Sequence, residues 1–254
     1  MDYVKENSEI WNARADNNDI WSMPVTSETV ELAKNGTWNI VLTPSKFVPK
    51  DWFPSEMKAK KILCLASGGG QQGPIIAATG ADVTVFDNSI QQLKKDELVA
   101  KRDGLTIKTV QGDMRDLSVF DDEYFDFIIH PWSNGYIDTV LPVWKECSRI
   151  LKKKGTLISG FGNPIEYIFD LGELNKGNFV VKHKIPYSDL ENLDDEAVAT
   201  ISKEDGYIFG HTLTDQIQGQ IDAGFAIIGF YEDKSGTALD NFIYTSIATR
   251  AIKL

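Results

Sequence analysis

The chain has 254 residues, with 26 Lys and Arg against 37 Asp and Glu, three His, two Cys and 42% hydrophobic residues, a balance that excludes disordered and collagen-like proteins. That length suits one large domain, or one domain with a sizeable insertion, whose core needs no disulfide or metal staple. A formal net charge of -11 opposes a phosphate backbone and argues against DNA or RNA as partner, because nucleic-acid binders gain affinity from basic patches.

Residues 1–60 hold four of the six tryptophans (Trp11, Trp21, Trp38, Trp52) and four prolines, without sustained strand alternation. This predicts two or three short helices with irregular connections. The opening MDYVKENSEI lacks the apolar centre of a secretory signal, and no run reaches the ~18 apolar residues that span a bilayer, so a cytoplasmic protein without a membrane partner is expected. From Lys61 the texture changes to short β-rich runs alternating with helical patterns, as in βαβ units and a parallel sheet. Ile62–Leu65 reads as strand 1, then a glycine-rich turn and a helix over Gln72–Thr79. Asp82–Phe86 reads as strand 2, and the helix after it carries Ile90, Leu93, Leu98 and Val99 on one face with Asp87 or Ser89 as cap. Strand 3 is expected at Thr106–Val110 and strand 4, buried on both faces, at Phe125–His130. Thr139–Leu151 reads as a helix whose C-terminus is marked by Lys152, Lys153, Lys154 and Gly155, cations at the negative dipole end and a glycine to turn.

Thr156–Phe161 is the fifth predicted strand, after which the rhythm breaks for about 50 residues, from Gly162 to Thr212. This stretch holds the acidic segment Asp189–Glu196 and β-like pieces at Phe179–Ile185 and Tyr207–Phe209, and reads as an insertion over the sheet edge. A helix at about Leu213–Ala223 and strands at Ala226–Tyr231 and about Asn241–Thr249 close the chain. Cys64 and Cys147 fall in buried patterns and read as thiols, and three scattered histidines give no metal-ligand spacing.

In doubly wound sheets ligands bind beyond the carboxyl ends of the strands, so the residues after each strand carry the chemistry. After strand 1 stand Ala66, Ser67, Gly68, Gly69, Gly70, Gln71 and Gln72, a turn whose N–H groups offer an anion seat at a helix start. After strand 2 stand Asp87, Asn88 and Ser89, a carboxylate about twenty residues past the glycines, where it can accept from both hydroxyls of a ribose. Gly68-x-Gly70-x-x-Gly73 also satisfies a dinucleotide pattern. After strand 3 stands Gly112, then Asp113, whose acidic side chain could accept from an adenine amine while Met114 and Leu93 close on the ring faces, an element that a nicotinamide enzyme does not need.

These motifs, over residues 60–250, resemble the class I S-adenosylmethionine-dependent methyltransferases. Their glycine motif often reads I-L-D-L-G-C-G-T-G, and Ile62–Gly70 reads I-L-C-L-A-S-G-G-G. Asp87 and Asp113 match the acids after their second and third strands. Tyr124-Phe125-Asp126 into His130-Pro131-Trp132-Ser133-Asn134 matches their fourth-strand motif, and Ile150–Leu157 their passage into strand 5. Cys64 stands where the family has an acid and Ala66 where it has its first glycine. The resemblance implies an α/β, Rossmann-like, doubly wound sheet of seven mostly parallel strands with an antiparallel last strand. To it are added an N-terminal helical lid (1–60) and, within the methyltransferase domain 61–254, a substrate-covering insertion (162–212).

The cofactor is then S-adenosyl-L-methionine, its ammonium near backbone carbonyls of Ala66 and His130 and its carboxylate near Gln71 and Gln72. The partner is a small-molecule methyl acceptor with an oxygen or nitrogen nucleophile. Methyl transfer is an in-line displacement that rests on positioning, with a general base where the acceptor carries a proton. His130 and His211 are the candidate bases, whereas His183 reads as surface or strand filler. Asn134, Tyr136 and His211, with Trp21 and Trp52 from the lid, are the candidate acceptor-binding residues. A non-catalytic cofactor-binding module and an NAD-dependent oxidoreductase are the competing readings, and the patterns leave the oligomeric state open.

Overall fold

The computed structural model describes residues 2–193 and 205–254, so positions 194–196 of the acidic segment lie outside the described residues. Seven strands form the main sheet: β1 (Lys61–Leu65), β2 (Asp82–Asp87), β3 (Ile107–Gln111), β4 (Phe125–His130), β5 (Leu151–Gly162), β8 (Phe225–Asp233) and β9 (Ser246–Lys253). Their order is β3-β2-β1-β4-β5-β9-β8. β1 to β5 run parallel, and β9 is antiparallel to both neighbours. The sequence runs outward through β1, β2 and β3, then restarts on the other side of β1 with β4. That reversal opens a crevice at the carboxyl ends of β1 and β4, the place where such sheets bind ligands.

Side-chain alternation along the strands divides the core in two. Ile62 and Cys64 of β1 face one side with Val83, Val85 and Phe127, while Leu63 and Leu65 face the other with Phe86, Ile128 and Leu157. An irregular register between Phe125 and Phe127 puts these two rings on opposite faces although they are two residues apart. Helices α3 (Gln72–Ala78) and α4 (Ile90–Asp103) cover the first face through Ile75, Ile76, Leu93 and Val99. Helix α5 (Leu141–Ile150) covers the second through Val143, Trp144, Cys147 and Ile150.

The first 60 residues do not act as one cover. Helix α2 (Ser27–Lys34) and the chain after it bury Val30, Ala33, Ile40, Leu42, Trp52 and Phe53 in the first core. Only α1 (Tyr3–Asp16), the turn at 20–22 and the loop at 41–44 reach the carboxyl end of the sheet. A side chain at Gly160 of β5 would collide with Leu42 O, so glycine there lets the 41–44 loop lie directly on the strand.

Three expected boundaries move. α5 ends at Ile150 because Leu151 is already extended, so Lys152–Lys154 open β5 instead of capping a helix, and Lys152 pairs with Asp126 at 2.9 Å. The helix expected at 213–223 begins as a π-helix, Thr214–Gln218, before Gly219–Asp222. Trp144 Nε1 donates to Asp215 O at 2.9 Å, and a Cβ on Gly219 would meet the Trp144 ring at 2.8 Å, so the wide turn fits around the indole. The last strand starts at Ser246, five residues later than its apolar pattern suggests. Within the insertion, β6 (Tyr187–Ser188) pairs antiparallel with β7 (Phe209–Gly210), and Phe169 bridges to Val181.

Candidate active site

A cavity of about 680 Å³ runs across the carboxyl ends of β3, β2, β1, β4 and β5, from Asp113 at one end to Glu166 at the other. Helix α1 contributes Val4, Asn7, Ser8, Trp11 and Arg14 to its wall, and Trp21 follows. Most of the wall beyond β5 comes from the insertion. Of the residues singled out from the sequence, Ala66, Ser67, Gly68, Gln71, Gln72, Asp87, Asn88, Ser89, Gly112, Asp113, Met114, Trp21 and Tyr136 line this cavity.

The glycine turn is held by carboxyl groups. Gly68 N–H donates to Asp87 Oδ2 at 2.9 Å, and Gly69 and Gly70 N–H both donate to Asp96 Oδ2 at 3.1 Å. The anion seat expected from these amides is therefore already filled by the protein's own acids, and Gly69 and Gly70 do not line the cavity. Asp96 lies on α4, wholly buried, and burial raises its carboxyl to about 8, with Asp87 nearby adding to the rise. Asp87 accepts Ser89 N–H through Oδ1 at 2.8 Å as well as Gly68 through Oδ2, and burial raises its pKa against these bonds. Each oxygen has capacity for a further donor, and Asp87 lines the cavity. Ser89, not Asp87, caps α4 by accepting Gln92 N–H. Gln92 donates to Ser22 Oγ at 2.6 Å and lines the cavity with its Oε1 unpartnered among the described residues.

At the β3 end Asp113 is engaged by Arg115, whose guanidinium contacts both carboxylate oxygens at 2.6–3.1 Å and continues to Tyr3 Oη and Asp138. Any further donor must share those oxygens. Gly112 leaves room for the Phe86 ring, which any side chain there would strike. Met114 lines the cavity, but Leu93 is packed in the first core and does not. Gln71 donates to Ile20 O and Met23 O at 3.1 Å, and Gln72 to Val41 O at 3.3 Å. These amides tie the N-terminal segment across the turn.

Four expected acceptor or catalytic residues lie off the cavity. His130 is fully buried, with Nδ1 3.1 Å from Leu65 O and Nε2 2.6 Å from Asn134 Oδ1, and burial lowers its pKa. Asn134 is buried too and donates to Gln216 at 2.9 Å. His211 points Nε2 at Asn134 O at 2.9 Å and is likewise lowered by burial. These three form a polar tie beneath the site, joining β4 to the chain after the insertion. Trp52 packs on Tyr231 with ring centres 5.2 Å apart, in the core below the sheet, because β8 needs an aromatic cover where Gly229 presents no side chain.

Other residues stand in the cavity instead. Glu166 and Tyr167 follow β5, with Lys182, His183, Tyr187 and Asp189 from the insertion and Ser235 and Thr237 from the β8–β9 connection. His183, expected at the surface, lies 5.0 Å from the Tyr187 ring. Asp96 and Gln92 had a sequence signal: Ser89, Gln92, Leu93, Asp96, Val99 and Ala100 form one buried helical stripe in which three members are polar. Glu166 had one as well, since it stands four residues past the carboxyl end of β5, the region in which Asp87 ends β2.

Among the described residues no helix is long and apolar enough to cross a membrane, and no group of three or more His, Cys, Asp or Glu could hold a metal ion. A family profile described as a methyltransferase domain matches residues 63–159. A Bacillus subtilis (strain 168) protein, the uncharacterized methyltransferase YbaJ, is 54% identical over 252 residues, 99% of this chain and 98% of that one. Among solved structures, an S-adenosylmethionine-dependent methyltransferase from Mesorhizobium loti superposes with a TM-score of 0.62 at 15% identity, covering 80% of this chain and 95% of that one. A putative S-adenosylmethionine-dependent methyltransferase from Listeria monocytogenes does so with a TM-score of 0.59 at 20% identity, covering 81% and 95%. At these identities the two structures speak to the fold.

Proposed function

Since the chain belongs to the class I S-adenosylmethionine-dependent methyltransferases, we propose that it methylates a small molecule through an oxygen or nitrogen nucleophile, under a cover made by α1 and the insertion. The observation that carries this reading is the shape of the cavity. Its volume of about 680 Å³ lies in the range of small-ligand sites, and α1, the 41–44 loop and the insertion stand around it, which suits an acceptor of small size.

The groups present suit the cofactor. Asp87 has a free lone pair on each oxygen for ribose hydroxyls, Gln92 Oε1 is an unpartnered acceptor beside it, and Met114 with Ile137 offers apolar walls for a base. When bound, S-adenosylmethionine supplies a methyl group on a sulfonium, open to in-line displacement. Asp87, Gln92 and the turn at Ala66–Gly68 bind and orient it. Trp11, Trp21 and Tyr136 bring aromatic faces to the cavity and exclude water, which leaves positioning as the main contribution of the protein. Burial raises the Tyr136 phenol to about 12, so it stays neutral.

Two measurements test the reading. Calorimetry should show S-adenosylmethionine and S-adenosylhomocysteine binding without NADH binding, and Asp87→Ala should weaken both by about 1.5–3 kcal/mol, roughly 10- to 100-fold. Unchanged affinity would remove Asp87 from the cofactor site. With methyl-labelled cofactor and a cell extract separated by ultrafiltration, label should enter the small-molecule fraction; label confined to macromolecules would overturn the proposed acceptor class.

A further inference from the structure

The acceptor end of the cavity contains a carboxylate with no cation. Glu166 lines the cavity and accepts a hydrogen bond from Ser235 Oγ at 2.6 Å, but no ion pair reaches it among the described residues. The other acids of this wall are already served. Asp170 is paired with Lys182 at 2.8 Å and Asp205 with Arg14 at 3.6 Å, and Asp189, without an ion pair among the described residues, has both oxygens engaged, by Tyr187 Oη at 2.6 Å and Ile208 N at 2.7 Å. A desolvated carboxylate without a counter-charge is costly, and a cation brought by a ligand would remove that cost.

Two further groups lining the cavity lack partners. Trp132 Nε1 and Thr237 Oγ1 are buried atoms without a hydrogen bond among the described residues, and both residues line the cavity. Trp132 and Tyr167 converge on Gly162, where an added Cβ would lie 3.0 Å from the indole and 3.2 Å from Tyr167 Oη. Thr237 is two residues beyond Ser235, the donor to Glu166. The subsite thus combines one uncompensated negative charge, aromatic faces, an indole N–H that needs an acceptor and a hydroxyl. An alkylammonium group with a nearby oxygen meets all four requirements.

We infer that the methyl acceptor is an amine carrying a hydrogen-bond-accepting oxygen, and that Glu166 holds its ammonium group and takes its proton. This rests on the reading that the acceptor is a small molecule. The ammonium gives one proton to the Glu166 carboxylate. The nitrogen lone pair so released forms the new N–C bond to the methyl carbon as the C–S bond breaks, its electron pair remaining on sulfur. Glu166 then returns the proton to water.

Burial raises Glu166 to about 7, with Asp240 across the 235–241 turn adding to the rise and Ser235 opposing it. Tyr167, Tyr187, the Asp170–Lys182 pair, His183, Asp189 and the Arg14–Asp205 pair are the other titratable or charged groups on the surrounding walls among the described residues. A carboxyl that ionises near neutrality is well matched to accept a proton at that pH.

The test uses protein saturated with S-adenosylhomocysteine, titrated calorimetrically with a series of amino alcohols and with the diols in which hydroxyl replaces the amine. Amino alcohols should bind and the diols should not. Affinity for the amines should rise about tenfold from pH 6 to pH 8 as Glu166 ionises. Glu166→Gln, which keeps shape, should lose at least tenfold in amine affinity and the pH dependence, with S-adenosylhomocysteine affinity and melting temperature held. Ser235→Ala, a milder change, should shift the pH midpoint upward. Diols binding as well as amines, or a Glu166→Gln variant with unaltered amine binding, would overturn the inference while leaving a small-molecule methyltransferase. Binding by neither series would overturn the inference, whereas the broader small-molecule reading falls only if label in the cell-extract experiment enters macromolecules alone.

Discussion

One oxygen of Asp96 accepts the amide protons of both Gly69 and Gly70, deep in the first core, so this side chain shapes the glycine turn without entering the cavity. Its folded pKa of about 8 lies above the ordinary carboxyl value, so the folded state binds more protons than the unfolded state between about pH 4 and 8. Stability therefore falls as pH rises through that window. Asp96→Asn keeps an oxygen acceptor and removes the buried charge, and should flatten the pH dependence of urea unfolding over that range; an unaltered slope would assign it to other groups. Asp96→Leu leaves the buried Gly70 N–H unpaired, whereas Gly69 N–H keeps Gln92 O at 3.0 Å, and should cost about 1–3 kcal/mol. Ala66 is strained in a different way, at φ 47°, the left-handed region where the related motif carries glycine. Ala66→Gly should stabilise by roughly 0.5–1 kcal/mol, the relief of left-handed strain exceeding the added freedom of the unfolded chain, and a melting curve checks it.

At the scale of elements, α1 is attached by a few polar contacts and not by a wide apolar face. Asn7 is buried, donates to Tyr136 O and Tyr207 O, and accepts Tyr207 N–H at 2.7 Å. Ser8 donates to Asn88 O, Asn88 donates back to Val4 O, and Asn12 accepts from Ser89 and Gln91. The helix thus grips the loop after β2 and the end of the insertion together. Asn7→Ala strands a buried donor and should speed hydrogen exchange across Tyr3–Asp16 while leaving β1 to β5 protected; unaltered exchange there would show that the other contacts suffice. The 43–46 loop is held more firmly. Burial opposes ionisation of Asp233, yet Ser45, Thr43 and backbone donors bring it down to about 2. That anchor is present at neutral pH and is lost only as pH falls through about 2, because a depressed carboxyl stabilises the fold above its unfolded pKa.

Across the whole molecule the sheet joins two cores whose members alternate along the same strands. Phe127 belongs to the first and Trp144, packed on Gly219, to the second. Phe127→Ala and Trp144→Ala should each cost about 3–5 kcal/mol. Because every central strand contributes to both cores, urea unfolding followed by circular dichroism and by fluorescence should stay a single coincident transition in each variant. Separate transitions would show that the two layers unfold independently. The same sheet sets the cavity: its order reverses at β1 and β4, so the residues that line it stand on adjacent strand ends.

The strand–helix alternation, the glycine turn, the position of Asp87 at a strand end and the opening of a cavity at those ends were all legible in the sequence, because period-two and period-3.6 burial and turn chemistry are local properties of the chain. Five motifs in order were enough to point to the family. Which polar residues enter the cavity was decided by tertiary structure. His130 and His211 both bond to Asn134 because the end of the insertion folds beneath β4, and Trp52 is drawn under β8 by the bare backbone of Gly229. Glu166, His183 and Thr237 meet across the cavity from segments more than 15 and 50 residues apart, and no spacing rule connects them. A sequence pattern records which face of an element is buried, whereas a site depends on where separate elements bring their ends together.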